Sequence, residues 1–320
     1  MRILVTGCAG FIGFNLTLKL LEKFSNSKIF GIDNFDNYYS IKLKRDRKKI
    51  LVKNKKFFFK KIDINDQKNL EKFIFKIKPE IIFNLAAQAG VRYSLINPRK
   101  YINTNINGFF NLCEIAKKIK VKKFFYASSS SVYGDSTNFP LKENFFIKPK
   151  NIYGLSKKIN EEMAHTYSIN SKVKFVGLRF FTVFGPWGRP DMMIQKYIFN
   201  SFNNKKFELY NYGNHTRDFT YIDDVTNILL KLTKKNISRP EIFNICSSRP
   251  IHLKKVISKL NLYLKKTRIV KKSLQKADIK KTYGSNKKIR KFIKYNNFYS
   301  FDLGIKNTFK WCYNYNNKKL

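Results

Sequence analysis

The chain has 320 residues, 43% of them hydrophobic and 16% aromatic, enough for a sizeable core and too many for wholesale disorder. Lys plus Arg is 65 against 21 Asp plus Glu, a formal +44; because lysine far outnumbers arginine and the excess is spread along the chain, it reads as codon bias and not as a nucleic-acid footprint. No stretch approaches the ~18 consecutive apolar residues of a transmembrane helix, and MRILVTG enters a strand pattern without a signal-peptide n-region, so the expectation is a soluble, cytoplasmic protein with no membrane partner.

Residues 2–6 (RILVT) form a short apolar strand that runs into GCAGFIG, and 11–24 then carry apolar positions at helical spacing. Strand 28–32 ends at Asp33, and a basic helical stretch follows at 41–53. Strand 56–63, helix 66–77, strand 80–87, helix 98–119 and strand 122–129 come next. Strands separated by helices of ~10–15 residues imply right-handed βαβ units and a parallel sheet. Helix 153–170 and strand 173–180 continue the pattern, which then loosens. A loop (FGPWGRPD), helix 191–203, strands 207–209 and 215–220, helix 223–235, strand 242–246 and helix 252–265 precede a lysine- and asparagine-rich tail. The expected organisation is a sheet domain from 1–180 plus 222–246, interleaved with a smaller mixed α/β domain from 181–221 and 247–320.

Cys8, Cys113, Cys246 and Cys312 lie far apart without CxxC spacing, and the three histidines are His165, His215 and His252. Neither a metal site nor a disulfide framework is expected. Gly7, Gly10 and Gly13 sit between the first strand and first helix, where glycine allows a tight turn, close approach of a pyrophosphate and close helix–strand packing. Asp33, twenty residues beyond Gly13 at a strand end, suits the adenosine ribose hydroxyls and would repel a 2′-phosphate, so NAD is expected over NADP. Asp63 ends the third strand and could meet the adenine edge. Tyr153 and Lys157, at i and i+4, share one helix face. An ammonium beside the phenol, helped by a positive nicotinamide ring, would bring the tyrosine toward use as a base. The serine run Ser128–Ser131 closes the fifth strand, at the carboxyl edge where such sheets bind ligands.

GCAGFIG, AAQAGVRYS, ASSSSVYG, YGLSK, LRFFTVFGPWGRPDM and RDFTYIDDV together resemble the extended short-chain dehydrogenase/reductase family. Within it the chain is most similar to nucleotide-sugar epimerases, and closest to the UDP-glucuronate 4-epimerases, from residue 1 to about 250. The resemblance implies a Rossmann-type doubly wound parallel sheet with a smaller C-terminal substrate domain. It makes Tyr153 the base, Lys157 its partner and ribose ligand, and Ser129 the hydroxyl that polarises the reacting oxygen, with Ser130 as the alternative to Ser129. Gly7, Gly10, Phe11, Ile12, Gly13, Asp33, Asp63, Ile64, Leu85, Ala86, Ala87 and Asn105 match the family's NAD-contacting positions. It further implies a homodimer built on helices 98–119 and 153–170, with Phe109, Leu112 and Met163 in the interface.

Family members that eliminate water or carbon dioxide carry Asp or Glu just after the catalytic hydroxyl; Ser130 and Ser131 stand there in this chain. Epimerisation at C4 of a UDP-sugar, through a 4-keto intermediate and with NAD regenerated each cycle, is therefore the reading. Thr182 stands where simple galactose epimerases carry asparagine, and its hydroxyl, with those of Ser129 and Ser130, suits a sugar carboxylate. Arg92, Arg189 and Arg217 are the expected anion contacts. UDP-glucuronate converted to UDP-galacturonate for surface polysaccharide synthesis is the favoured assignment. A UDP-glucose/UDP-galactose 4-epimerase and, in a different class, a catalytically retired RNA-binding relative are the alternatives.

Overall fold

The structure is a computed structural model that describes residues 1–265 and 267–318; Lys266, Lys319 and Leu320 of the expected C-terminal range 247–320 lie outside the described residues. Strands β1 (Arg2–Thr6), β2 (Lys28–Asp33), β3 (Phe57–Lys61), β4 (Ile81–Asn84), β5 (Lys123–Ser129), β6 (Lys174–Phe180), β7 (Thr182–Phe184), β8 (Phe207–Tyr210), β9 (Thr216–Tyr221), β10 (Glu241–Ile245), β11 (Pro250–His252) and β12 (Ile269–Lys272) form three sheets. The largest has seven parallel strands in the order β10-β6-β5-β4-β1-β2-β3. The chain winds outward from β1 to β3, returns to the centre at β4 and winds the other way. Ligands bind at the carboxyl ends of strands where such a sheet reverses, here between β1 and β4.

Both faces of this sheet are buried, which is why its strands read as continuous apolar runs. Alternate side chains enter opposite cores: Ile3, Val5, Ile29 and Phe125 join one cluster, Leu4, Ile32, Phe124 and Tyr126 the other. Helices α1 (Phe11–Lys23) and α2 (Ile41–Leu51) cover the first face, and α3 (Gln67–Ile77) the second.

The helix expected over 98–119 is interrupted. After α4 (Tyr93–Ile96), α5 (Pro98–Tyr101) gives way to a π-helical turn at Ile102–Asn107 before α6 (Gly108–Lys118). Asn160 Nδ2 donates to the Asn105 carbonyl at 2.5 Å, and a side chain inserted into the helical ladder in this way is a known cause of such a bulge. Phe109 and Leu112, expected at a dimer interface, are 1% and 0% exposed. They fill the core against Phe124 and Ile82 of the same chain and present nothing to a partner; Phe110, 44% exposed, is the outward residue of that turn.

Helix α7 (Ile152–Ile169) carries Tyr153 and Lys157. Asn151 caps it by accepting the Gly154 N–H at 2.9 Å. A Cβ at Gly154 would lie 2.6 Å from the Ser131 carbonyl, so glycine lets the helix start lie against the serine turn. One turn beyond Lys157, Glu161 meets Arg179 of β6 in a bidentate pair at 2.9 and 2.8 Å, both side chains 4% exposed.

Helices α8 (Met193–Phe202), α9 (Ile222–Lys234), α10 (Leu253–Leu260), α11 (Lys287–Ile293) and α12 (Phe301–Asn316) complete the chain. α10 stops at Leu260, five residues short of the expected 265. The loop expected after 180 contains β7, which pairs in parallel with β9, and β9 pairs antiparallel with β11. β8 and β12 form the third sheet.

Removing one member of a buried ion pair strands the other. Glu161→Ala should cost about 3–5 kcal/mol of stability, read as a lowered urea midpoint.

Candidate functional site

A cavity of about 640 Å³ opens along the carboxyl ends of the central strands, within the ~300–1,000 Å³ of typical ligand pockets. Gly7, Gly10, Phe11, Ile12, Gly13, Asp33, Ile64, Leu85, Ala86, Ala87, Arg92, Ser129, Ser130, Tyr153, Lys157, Thr182, Arg189 and Arg217 all line it. Two expected residues do not. The Asp63 carboxylate takes the Asn34 side-chain amide at 2.8 Å and the Asn65 backbone N–H at 2.8 Å. Asn105, 2% exposed, instead clamps Gln88 by accepting its N–H and donating to its carbonyl, and donates as well to the Ser156 hydroxyl. Its contact with the cavity runs through Gln88.

The glycine wall fits a dinucleotide. A Cβ at Gly13 would lie 2.1 Å from the Gly7 carbonyl, and one at Gly7, whose φ is +67°, 2.7 Å from the Ala86 nitrogen. Only glycines let the turn, β4's end and α1 approach so closely. Gly10 caps α1 without a side-chain bond, and its first turn has no acidic residue. The first amides and the dipole are thus left for an anionic group. Asp33 accepts the Ala9 N–H at 3.0 Å and the Phe35 N–H at 2.8 Å. Burial pushes its carboxyl up, while these amides, Lys44 and Arg47 pull it down. A carboxylate has about four acceptor sites, so two such bonds leave capacity for ribose hydroxyls.

In the second wall, Ser128 donates to Glu161 Oε1 at 2.5 Å. Strand alternation then sends Ser129 the other way, toward the cavity that Tyr153 also lines, and its hydroxyl accepts the Ser131 N–H at 3.2 Å. Ser129 pairs with Phe180 across β5 and β6, two residues before Thr182. Burial raises the phenol's pKa, while Ser129 and the positive charge of Arg189 lower it. Lys157, one helical turn on, is pushed down to about 7 by burial.

The arginines are not free forks. Arg189 is paired through two of its guanidinium nitrogens with Asp191, its Nε–Oδ1 contact at 3.0 Å, and lies over the Tyr38 ring. Arg92 pairs with Asp278 at 3.1 and 2.7 Å and stacks on Tyr210 with 3.6 Å to the centroid. Arg217 bonds the carbonyls of Thr216 and Lys280, and burial lowers it to about 10. Asp191, Asp278, Tyr38 and His215 also line the cavity and were missed in the sequence. His215 and Arg217 are two residues apart at the start of β9, and that period of two was the available signal.

Among the described residues, no cluster of His, Cys, Asp or Glu could hold a metal, and no helix is long and apolar enough to cross a membrane. The family model for the NAD dependent epimerase/dehydratase family matches residues 3–246. UDP-glucuronate 4-epimerase 3 of Arabidopsis thaliana is 36% identical over 335 aligned residues, covering 98% of this chain and 77% of that protein. The solved UDP-glucuronic acid 4-epimerase of Bacillus cereus, in complex with UDP-glucuronic acid and NAD, superposes with a TM-score of 0.92 at 31% identity, covering 98% and 100% of the two chains. The UDP-glucose 4-epimerase of Thermotoga maritima, with UDP-glucose, gives 0.88 at 26% identity over the whole of both chains. The chain belongs to the NAD dependent epimerase/dehydratase family; it is an epimerase, an isomerase by reaction class, and its cofactor is NAD.

If Asp33 reads the ribose, Asp33→Ala should weaken NAD binding more than NADP binding in fluorescence titrations; equal losses would remove that role. The buried lysine gives a second test. Lys157 sits near 7 against 10.5 in the open chain, so the unfolded chain binds more protons between these values and stability from this group rises with pH across that window. In cofactor-free protein, Lys157→Met should raise the melting temperature at pH 7.5 and flatten the rise toward pH 9.

Proposed function

We propose that this enzyme interconverts UDP-glucuronate and UDP-galacturonate by epimerisation at C4, serving surface polysaccharide synthesis in the cytoplasm. The observation that carries the reading is the single cavity that brings Tyr153, Lys157 and Ser129 together with Thr182 and Arg189. The likeness to a B. cereus structure described with UDP-glucuronic acid and NAD supports it.

When bound, NAD supplies the hydride acceptor and later the donor. Tyr153 takes the proton of the sugar 4-hydroxyl, and Ser129 hydrogen-bonds the same oxygen as it becomes a carbonyl. The 4-keto sugar then turns, exposing its other face, and Tyr153 returns the proton. Oxidation at C4 of glucuronate places a ketone two carbons from the C6 carboxylate, a β-keto acid that loses carbon dioxide when the C5–C6 bond aligns with the carbonyl π system. Hydroxyls from Thr182 and Ser129 or Ser130 hold the carboxylate away from that alignment, and a free Asp or Glu there would repel it. Asp191, the carboxylate beside Arg189, has its charge met by that guanidinium.

A homodimer is part of the proposal. Ile102, Phe110 and Leu155 are 40%, 44% and 40% exposed on the π turn, α6 and α7, and a second copy packed two-fold across these helices would cover them. Light scattering should give twice the mass of a 37.9 kDa chain.

Incubation with UDP-glucuronate should yield UDP-galacturonate with little UDP-pentose. Turnover of UDP-glucose with UDP-glucuronate ignored would move the assignment to the neutral sugar. Tyr153→Phe should fold and bind NAD yet lose about 10²–10⁴ in turnover. Thr182→Ala should divert product toward the decarboxylated sugar or abolish activity on the acid sugar alone.

A further inference from the structure

His215 is 3% exposed, and its Nε2 is buried without a hydrogen-bond partner although the residue lines the cavity. An unsatisfied buried ring nitrogen costs free energy unless something completes it. The groups around it are unusually cationic for such a position. Arg217 follows two residues on, in β9, and among the described residues no carboxylate lies within ion-pair distance of it. Arg92 reaches in from the segment after β4. Among the described residues Asp278 is the one carboxylate within 4.0 Å of the ring, and its Oδ2 is committed to Arg92 at 2.7 Å while standing 3.9 Å from His215 Nε2. On β8, Tyr210 lies under Arg92 and donates to Glu208. The Leu253 N–H donates to the His215 carbonyl and the Thr216 N–H to the Lys280 carbonyl, and the lysines Lys254 and Lys280 are themselves exposed.

We propose that His215 is a proton-linked ligand of the substrate's diphosphate: its neutral imidazole takes one proton from solvent as the diphosphate binds beside Arg217, and Nε2–H then donates to a phosphate oxygen. This deepens the UDP-sugar reading and rests on it.

The electrostatics work in both states. With no anion present, burial first, then Arg217 and Arg92, hold the imidazole down to about 4, against the opposing pull of Asp278. It is therefore neutral at pH 7, and a neutral ring beside two arginines avoids adding a third like charge. A diphosphate diester brings two negative charges that stay ionised from pH 5 to 8. Placed against Arg217, it reverses the local field and supplies the acceptor that Nε2 lacks, so the proton becomes favourable. The direction follows from linkage. Where the bound complex holds one more proton than the separated partners, affinity rises as pH falls, by up to about tenfold per pH unit. The window runs from the pKa of the bound complex down to about 4, the value of the free site.

Calorimetry tests this without relying on turnover. The Tyr153→Phe holoenzyme is titrated with UDP-glucuronate, and separately with UDP-glucose, at pH 5.5, 6.5 and 7.5 in pairs of buffers that differ in ionisation enthalpy. The expected result is uptake approaching one proton per ligand at the lower pH values and a 3- to 30-fold tighter Kd at pH 5.5 than at 7.5. Both sugars should show it, because the diphosphate is common to them. His215→Gln and His215→Asn, in the same background, should bind with a flat pH dependence and no uptake. Proton uptake of zero in the parent protein, or uptake unchanged in both histidine variants, overturns the proposal. Binding of UDP-glucose with the proton linkage but no binding of UDP-glucuronate leaves the role of His215 standing and sinks the glucuronate assignment. Failure of both sugars to bind sinks both.

Discussion

The buried pair between Glu161 and Arg179 fixes the site, because it joins the helix that carries the base to the strands that carry its partner. Glu161 lies on the face of α7 that also holds Tyr153 and Lys157, and Arg179 lies on β6 directly opposite Ser128 of β5. Ser128 donates to the same carboxylate. Arg179 also donates to the Tyr133 hydroxyl, which donates to Asn244 of β10. One charge pair thus ties α7, β5, β6 and β10 into a single register. Its net stabilisation is small, since desolvation offsets most of the attraction. Its effect is geometric: with Ser128 held toward Glu161, strand alternation turns Ser129 to the cavity that Tyr153 also lines.

The cavity shows how a chain of +44 keeps its binding charges ordered. Arg189 and Arg92 are each forked to an aspartate and stacked on a tyrosine. A flexible cation would lose side-chain entropy when ligand bound; these are already immobilised, so that cost falls on folding and not on binding. Pairing also trims the charge they present, which leaves Arg217 and the polar hydroxyls as the groups with unmet demand. The surface lysines add a long-range field that concentrates anionic ligands and fades with salt.

Much of this was legible in the sequence, and the reasons are local. The glycine turn, the strand ending at Asp33 and the Tyr153–Lys157 spacing each depend on a few neighbouring residues, and every one lines the cavity. What was missed depends on contacts distant in sequence. The π turn inside 98–119 arises because Asn160, fifty-five residues on, donates to the Asn105 carbonyl. Phe109 and Leu112 have the apolar character of an interface and of a core alike; only the packing of α6 on β5 decides between them. β7 is three residues long, too short for a periodic signal, and exists because β9 pairs with it. Asp191 and Asp278 are ordinary loop carboxylates until the fold sets arginines against them.

The protein groups that lower the Tyr153 phenol come from outside its own helix. Burial raises it, and Ser129 and Arg189 oppose that rise. Arg189 sits in the loop between β7 and α8, where Trp187 has a positive φ of 62° that its side chain does not favour. Arg47, fully buried, holds that loop by donating to the Trp187 carbonyl at 2.5 Å, and it also donates to the Ala9 carbonyl at 2.8 Å. Ala9 is the residue whose N–H is held by Asp33. A continuous set of bonds therefore runs from the carboxylate expected to read the ribose, through the glycine turn and Arg47, to the loop whose arginine lowers the phenol. One buried side chain, Arg47, thus ties the glycine turn to the loop that carries Arg189.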